Sequence, residues 1–367
     1  MKIRIVLFSI LAFLLVAVIY NLISAFTYKH AYTTKPVGSF ALPELKSDQL
    51  NINFAASDTS LYVVSWKDNT KTEIDSASNT ATFTTNPKND ITTCRAFDFQ
   101  GKQELSFHLP ADSVYQGLMI FGGDFGFLTG LNQLYIDNWD KNTLDFYSPL
   151  GIPIDQKQIP ASTHVAEFDG HLYYVIGTKE GKDILFKLLK DNPGKRTELI
   201  RRVSLGKNLS IFTLFVHSNG KNDMAVAEVQ EKKILISFFA DKKEKKFEIT
   251  RHANNHSSPW YFYLWDWQTI SKLGKEVLSR IPLQHDYLPD DPFGMYVGKN
   301  YVVLTTWGYD DDSKPTMNTI YNLHGRNLGE LKCKEDNHAS LVDICGDKLF
   351  FFNPKTAMVY IERIKVK

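Results

Sequence analysis

The stretch "HVAEFDGHLYYVIGT", residues 164–178, decides the fold. A short apolar run, a tight turn and a second apolar run read as two paired strands. Three other stretches share that plan: "VAEVQEKKILISFF" (226–239), "MYVGKNYVVLTTW" (295–307) and "LVDICGDKLFFF" (341–352). Looser copies are "NINFAASDTSLYVVSW" (51–66) and "LMIFGGDFGFLTG" (118–130). One supersecondary unit recurring along a chain is the signature of a repeat architecture.

A second hairpin type follows the first. "RAFDFQGKQELSFHLP" (95–110) alternates about Gly101, with Phe97 and Phe99 before it and Leu105, Phe107 and Leu109 after it. Residues 144–160, 184–203 and 319–333 follow the same plan. The stretch "YFYLWDWQTISKLGKEVLSRIPL" (261–283) has two readings. Trp267, Ile270, Leu273, Val277 and Ile281 fall at helical spacing, whereas a turn through Gly274 makes it a hairpin. The hairpin reading assigns it to the outer half of the fourth unit. The last unit ends at "MVYIERI" (358–364) and lacks a fourth strand, which is expected from the start of the domain near residues 45–53.

Strands alternating with turns rich in Gly, Asn, Asp and Lys make the class all-β. Inner hairpins interleaved with outer ones fit four-stranded blades set radially, a β-propeller that leaves only short protected edges. The expectation is six blades preceded by one N-terminal transmembrane helix. Seven blades are the alternative, because "LSIFTLFVH" (209–217) has no place among the six. In architecture, residues 49–367 resemble the six-bladed β-propellers of exported bacterial proteins. No regular WD or kelch signature accompanies that resemblance.

Lys2 and Arg4 precede "VLFSILAFLLVAVIYNLISAF" (6–26), an apolar run long enough to span a bilayer core as a helix. A cleavable signal has a shorter apolar region ending in a small-x-small site, and here Ile23 stands where a small residue belongs. The segment therefore reads as a signal anchor with its N-terminus in the cytoplasm. A cleaved signal, giving a secreted protein, is the alternative. The domain plan is an anchor over 1–26, a polar tether over 27–48 and the propeller over 49–367. That plan places the protein at the cell membrane by a single pass, with the propeller periplasmic or extracellular.

Lys and Arg number 42 against 41 Asp and Glu, a net charge of +1. The chain thus lacks the basic excess used to bind nucleic acid, and no nucleic-acid partner is expected. Cys94, Cys333 and Cys345 are too few and scattered for a disulfide framework or a CxxC site, and read as buried free thiols. No glycine-rich phosphate cradle stands between a strand and a helix, so no nucleotide cofactor is expected.

In a propeller, the links after the second strand of each blade and the links between blades open on one face. Function concentrates in such loops. The long ones are expected at 67–91, 240–259 and 308–317, with the inter-blade loop 284–292 beside them. They carry a candidate ligand-binding rim of Trp260, Trp307, Tyr287, His252, His256, Asp286, Asp290 and Asp310. Asp310, Asp311 and Asp312 lack the spacing of a calcium loop and read as a solvated turn. His252 and His256 stand four apart, a metal-binding spacing on a helix, but in this polar loop they read as surface histidines. Trp260 and Trp307 offer rigid aromatic area for a sugar ring or a peptide.

The expected role is a membrane-tethered, extracytoplasmic module that binds or scaffolds a protein, peptide or glycan. No catalytic residue, metal or cofactor is assigned. The alternative is an enzyme on the same scaffold, a lyase or glycoside hydrolase working through the rim Asp and His residues.

Overall fold

The computed structural model describes residues 32–46, 50–67, 71–75, 80–84, 92–109, 125–138, 143–159, 162–180, 183–191, 197–204, 214–220, 222–230, 232–241, 243–250, 292–307 and 316–366. Their strands form six four-stranded sheets and one two-stranded hairpin. Blade one holds Leu50–Ala56, Ser60–Lys67, Thr93–Asp98 and Gln103–His108. Blade two holds Phe125–Leu128, Gln133–Asn138, Thr143–Tyr147 and Pro153–Gln158. Blade three holds Ser162–Phe168, His171–Glu180, Asp183–Asp191 and Glu198–Ser204. Blade four holds Leu214–Asn219, Asp223–Val229, Lys233–Ala240 and Lys243–Thr250. Blade five holds Pro292–Gly298, Tyr301–Trp307, Thr316–Asn322 and Asn327–Glu330. Blade six holds Ser340–Cys345, Lys348–Asn353 and Met358–Val366, and takes Tyr32–Ala41 as its outer strand. The first strands touch their neighbours in succession, and that of blade six returns to that of blade one. The ring is closed, and the molecule is a six-bladed β-propeller.

The buried residues fall into six apolar clusters, one at each junction between neighbouring blades. This explains the sequence pattern of the second strands. Such a strand is paired along both edges and carries a blade against each face, so it reads as a nearly continuous apolar run. Leu61 through Trp66 and Tyr301 through Leu304 are buried without alternation. Leu349, Phe350 and Phe351 are fully buried. Outer strands have one free edge, and Pro153–Gln158 is exposed along almost its whole length.

Blades one and two each lean on the outer strand of the blade before. Gly101, in the turn between the third and fourth strands of blade one, sits against Phe40 on the outer strand of blade six. A Cβ there would fall 2.4 Å from the Phe40 Cβ, and the backbone φ of +83° favours glycine as well. Gly151 of blade two sits in the same way against the Phe107 ring of blade one. The three cysteines are buried and free, as their composition suggested.

Three sequence expectations need correction. Closure comes from Tyr32–Ala41, paired from Tyr32↔Val366 to Ala41↔Met358, and not from residues 45–53. Part of the stretch read as a polar tether is therefore a strand, while Leu50–Ala56 opens blade one. Blade four is framed differently as well. Residues 226–239 span its second and third strands, and the unplaced run 209–217 overlaps its first, Leu214–Asn219. The fourth strand is Lys243–Thr250, so the sheet is complete without residues 261–283. Those residues lie outside the described ones, and no seventh four-stranded sheet is present among the described residues. In blade two, the first strand is Phe125–Leu128 and pairs with Gln133–Asn138; residues 118–124 lie outside the described ones.

Candidate functional site

The two ends of the ring are unlike. Turns within the inner and outer hairpins open on one end and are short, such as Asp169-Gly170, Lys299-Asn300 and Gly346-Asp347. Links after the second strands, and links between blades, open on the other end. There the chain makes its long excursions: 68–92 in blade one, 251–291 between blades four and five, and 308–315 in blade five. The first contains an added hairpin, Lys71–Asp75 paired with Thr80–Thr84. This end is the rim.

Trp307 ends the second strand of blade five, paired with Thr316 at the start of the third. The backbone thus sets Trp307 at the root of the 308–315 link. Asp310, in that link, lies outside the described residues. So do His252, His256, Trp260, Asp286, Tyr287 and Asp290, all within 251–291. The structure does revise the frame of this last segment. Residues 240–259 are not the second-strand link of blade four, because Val229 and Lys233 bound that link. The segment 251–291 instead joins blade four to blade five. Both 251–291 and 308–315 leave the rim end of the ring at blade five.

The described polar residues that draw together are on the first strands, and sequence reasoning passed over them. Each joins one blade to the next. The Val297 N–H donates to His217 Nδ1 at 3.3 Å, linking blade five to blade four. Tyr296 Oη donates to the Val342 carbonyl at 3.2 Å. Asp343 Oδ2 accepts from the Ala56 N–H at 2.6 Å, linking blade six to blade one. Glu167 Oε2 accepts from the N–H groups of Gly130 and Leu131, and its own N–H donates to Ser218 Oγ. Between blades one and two the link is a ring stack, Tyr62 on Phe127 at 5.3 Å.

The electrostatics of these groups follow from burial. Desolvation, helped at His164 by the neighbouring His217, lowers the two imidazole pKa values to about 3 and about 4 respectively. A neutral His217 is what its bond requires, since Nδ1 accepts from Val297. Burial raises Asp343 to about 7, partly offset by donors at Ala56 and Ile344. A carboxyl titrating near neutrality suits acid–base chemistry, but both oxygens of Asp343 are already engaged by backbone N–H groups. These residues fasten the ring. The signal for them is a polar letter inside an apolar first strand, as in "LFVHSN" and "SLVDIC".

Among the described residues no three His, Cys, Asp or Glu side chains are placed to share a metal ion. A small polar cavity near Asn318, Glu330, His338 and Ser340 has about 20 Å³, room for roughly one water. Among the described residues no helix is long and apolar enough to cross a membrane; residues 6–26 lie outside them.

No family model matches the chain, and no curated protein does. Solved structures similar to it include a Bacteroides thetaiotaomicron protein of unknown function, 12% identical with a TM-score of 0.45, covering 91% of this chain and 76% of that one. A Bacteroides fragilis protein described as exported is 11% identical with a TM-score of 0.43, covering 87% and 96%. Hsv2 of Kluyveromyces lactis is 12% identical with a TM-score of 0.40, covering 83% and 70%. Likeness at this level says nothing about binding or catalysis, and the propeller is read from the chain's own sheets.

Proposed function

We propose that the protein is a membrane-tethered, extracytoplasmic β-propeller whose rim binds a protein, peptide or glycan. The asymmetry of the ring carries this reading. Its long excursions leave from one end of the rigid scaffold, and the other end is trimmed to short turns. Trp307 at the root of one excursion and Trp260 within another are the aromatic anchors on that end. The apolar run 6–26, preceded by Lys2 and Arg4, supports the tether.

The test uses the full chain in lipid nanodiscs, screened on glycan and peptide arrays beside its Trp260→Ala and Trp307→Ala variants. Selective retention by one ligand class is expected. Loss of one anchor should weaken it about thirtyfold, the effect of a central aromatic contact worth ~2 kcal/mol. Retention that both variants share with the wild type would reject the rim as the binding surface.

A further inference from the structure

The short-turn end carries an unexpected surface. Of the large apolar side chains exposed among the described residues, all but Val37 belong to blades two and three. Leu131 lies in the turn between the first and second strands of blade two. Leu150 and Ile152, 66% and 61% exposed, lie in its other turn, and Ile154 follows at the start of the fourth strand. Leu199 and Ile200 open the fourth strand of blade three, just after its outer turn. The two blades are joined by side-chain bonds. Glu167 of blade three accepts from Gly130 and Leu131, and Lys157 pairs with Asp191. The six side chains therefore belong to one rigid pair of blades, on the turn end or at its edge.

The chain enters the ring at the same end. The strand Tyr32–Ala41 starts opposite Val366 and finishes opposite Met358. Met358 follows the rim link of blade six, so Val366 and Tyr32 stand at the turn end. Residue 26 closes the apolar run, and the chain from Phe26 to Tyr32 reaches at most about 20 Å when fully extended. Lys29, His30 and Lys35 in or beside this short connection suit the anionic headgroups of a bilayer surface.

We infer that the turn end of the propeller, through Leu131, Leu150, Ile152, Ile154, Leu199 and Ile200, rests on the lipid surface of the bilayer that holds residues 6–26. The rim then points away from that bilayer. This rests on the membrane-tether reading above. A tether this short holds the turn end beside the lipid at high effective concentration, so shallow apolar side chains suffice where a free protein would need a larger patch. Anchor and patch lie on well-separated blades, six against two and three, so the ring is seated at two places.

The test labels the full chain with an environment-sensitive thiol fluorophore at Ile152→Cys or, on the rim side, at Lys355→Cys. Cys94, Cys333 and Cys345 are buried and do not compete. The labelled proteins are reconstituted on phosphatidylethanolamine–phosphatidylglycerol vesicles with and without doxyl-labelled lipid. The Ile152 label should shift to the blue and lose emission to the doxyl lipid, while the Lys355 label keeps its emission. Adding Leu150→Asp and Leu199→Asp should restore the Ile152 emission, with an unchanged far-ultraviolet circular dichroism spectrum. Protein that fails to float with vesicles at all would overturn the tether itself, and this seating with it. Protein that floats while both labels go unquenched, or with the Lys355 label quenched, overturns the seating alone. A blue shift insensitive to doxyl lipid would give the patch to a second copy or another protein, and also overturns it.

Discussion

At the residue scale, His217 and Asp343 fasten the ring and pull its stability in opposite directions as pH changes. The unfolded chain protonates its imidazoles below about 6.5, but in the folded state His164 and His217 resist until about 3 and about 4. Their contribution is therefore present above pH 6.5 and is lost as pH falls toward 4. The Asp343 carboxyl is held at about 7, against 3.8 for an ordinary aspartate. Its contribution is greatest below pH 3.8 and is lost as pH rises through 7. The Asp343→Asn variant should thus lose Tm more steeply than the wild type between pH 7 and pH 4, and His217→Asn less steeply. Thermal melts followed by circular dichroism across that window check both slopes, and two slopes equal to the wild type's would reject the assignment. The local sequence marks each only as a polar letter in an apolar strand and does not give its partner. His217 meets a residue 80 positions away and Asp343 one 287 positions away, so their partners exist only once the ring has closed.

At the scale of elements, the sequence reveals strands in proportion to how much of them is buried. The second strands are legible because both faces are covered. The outer strands are not. In "YTTKPVGSFA" only Thr34 and Phe40 are buried, and Pro36 adjoins a register shift on the free edge, a place where proline is tolerated. In "KEKKFEIT" only Phe247 and Ile249 are buried. The remaining charges guard an exposed edge against pairing with other chains, and so the segment reads as a polar loop. The closing strand is nevertheless required. A chain beginning at residue 32 should fold to a monomer with a cooperative melt. One beginning at residue 42 should expose the edge of Met358–Val366 and aggregate. Phe40→Ala, which empties a site in the wedge between blades six and one, should cost about 3–5 kcal/mol in denaturant unfolding. A soluble, cooperative chain starting at residue 42 would show that closure does not depend on this strand.

At the scale of the whole molecule, the described strands of blade four end at Thr250 and those of blade five start at Pro292, and each sheet already has four strands. Replacing residues 251–291 with a glycine–serine linker about a quarter as long should leave the ring intact. The change in closure entropy amounts to only about 1 kcal/mol in the direction of stability, and calorimetry would show one transition near the wild-type Tm. An aggregated product would mean that the segment is part of a blade after all. By itself, the sequence determined the all-β class and the hairpin repeat and favoured six blades over seven, because each repeat buries a second strand on both faces and must spell it in apolar letters. It also marked the excursions near 67–91 and 308–317, since long polar links are visible without coordinates, but misread 240–259, which contains the strand Lys243–Thr250. Only the tertiary structure decided where each blade begins, which polar strands close the edges and which histidine and aspartate staple the ring. Those features depend on pairing between distant segments that bury little surface of their own, and weakly buried strands leave almost no pattern in the sequence.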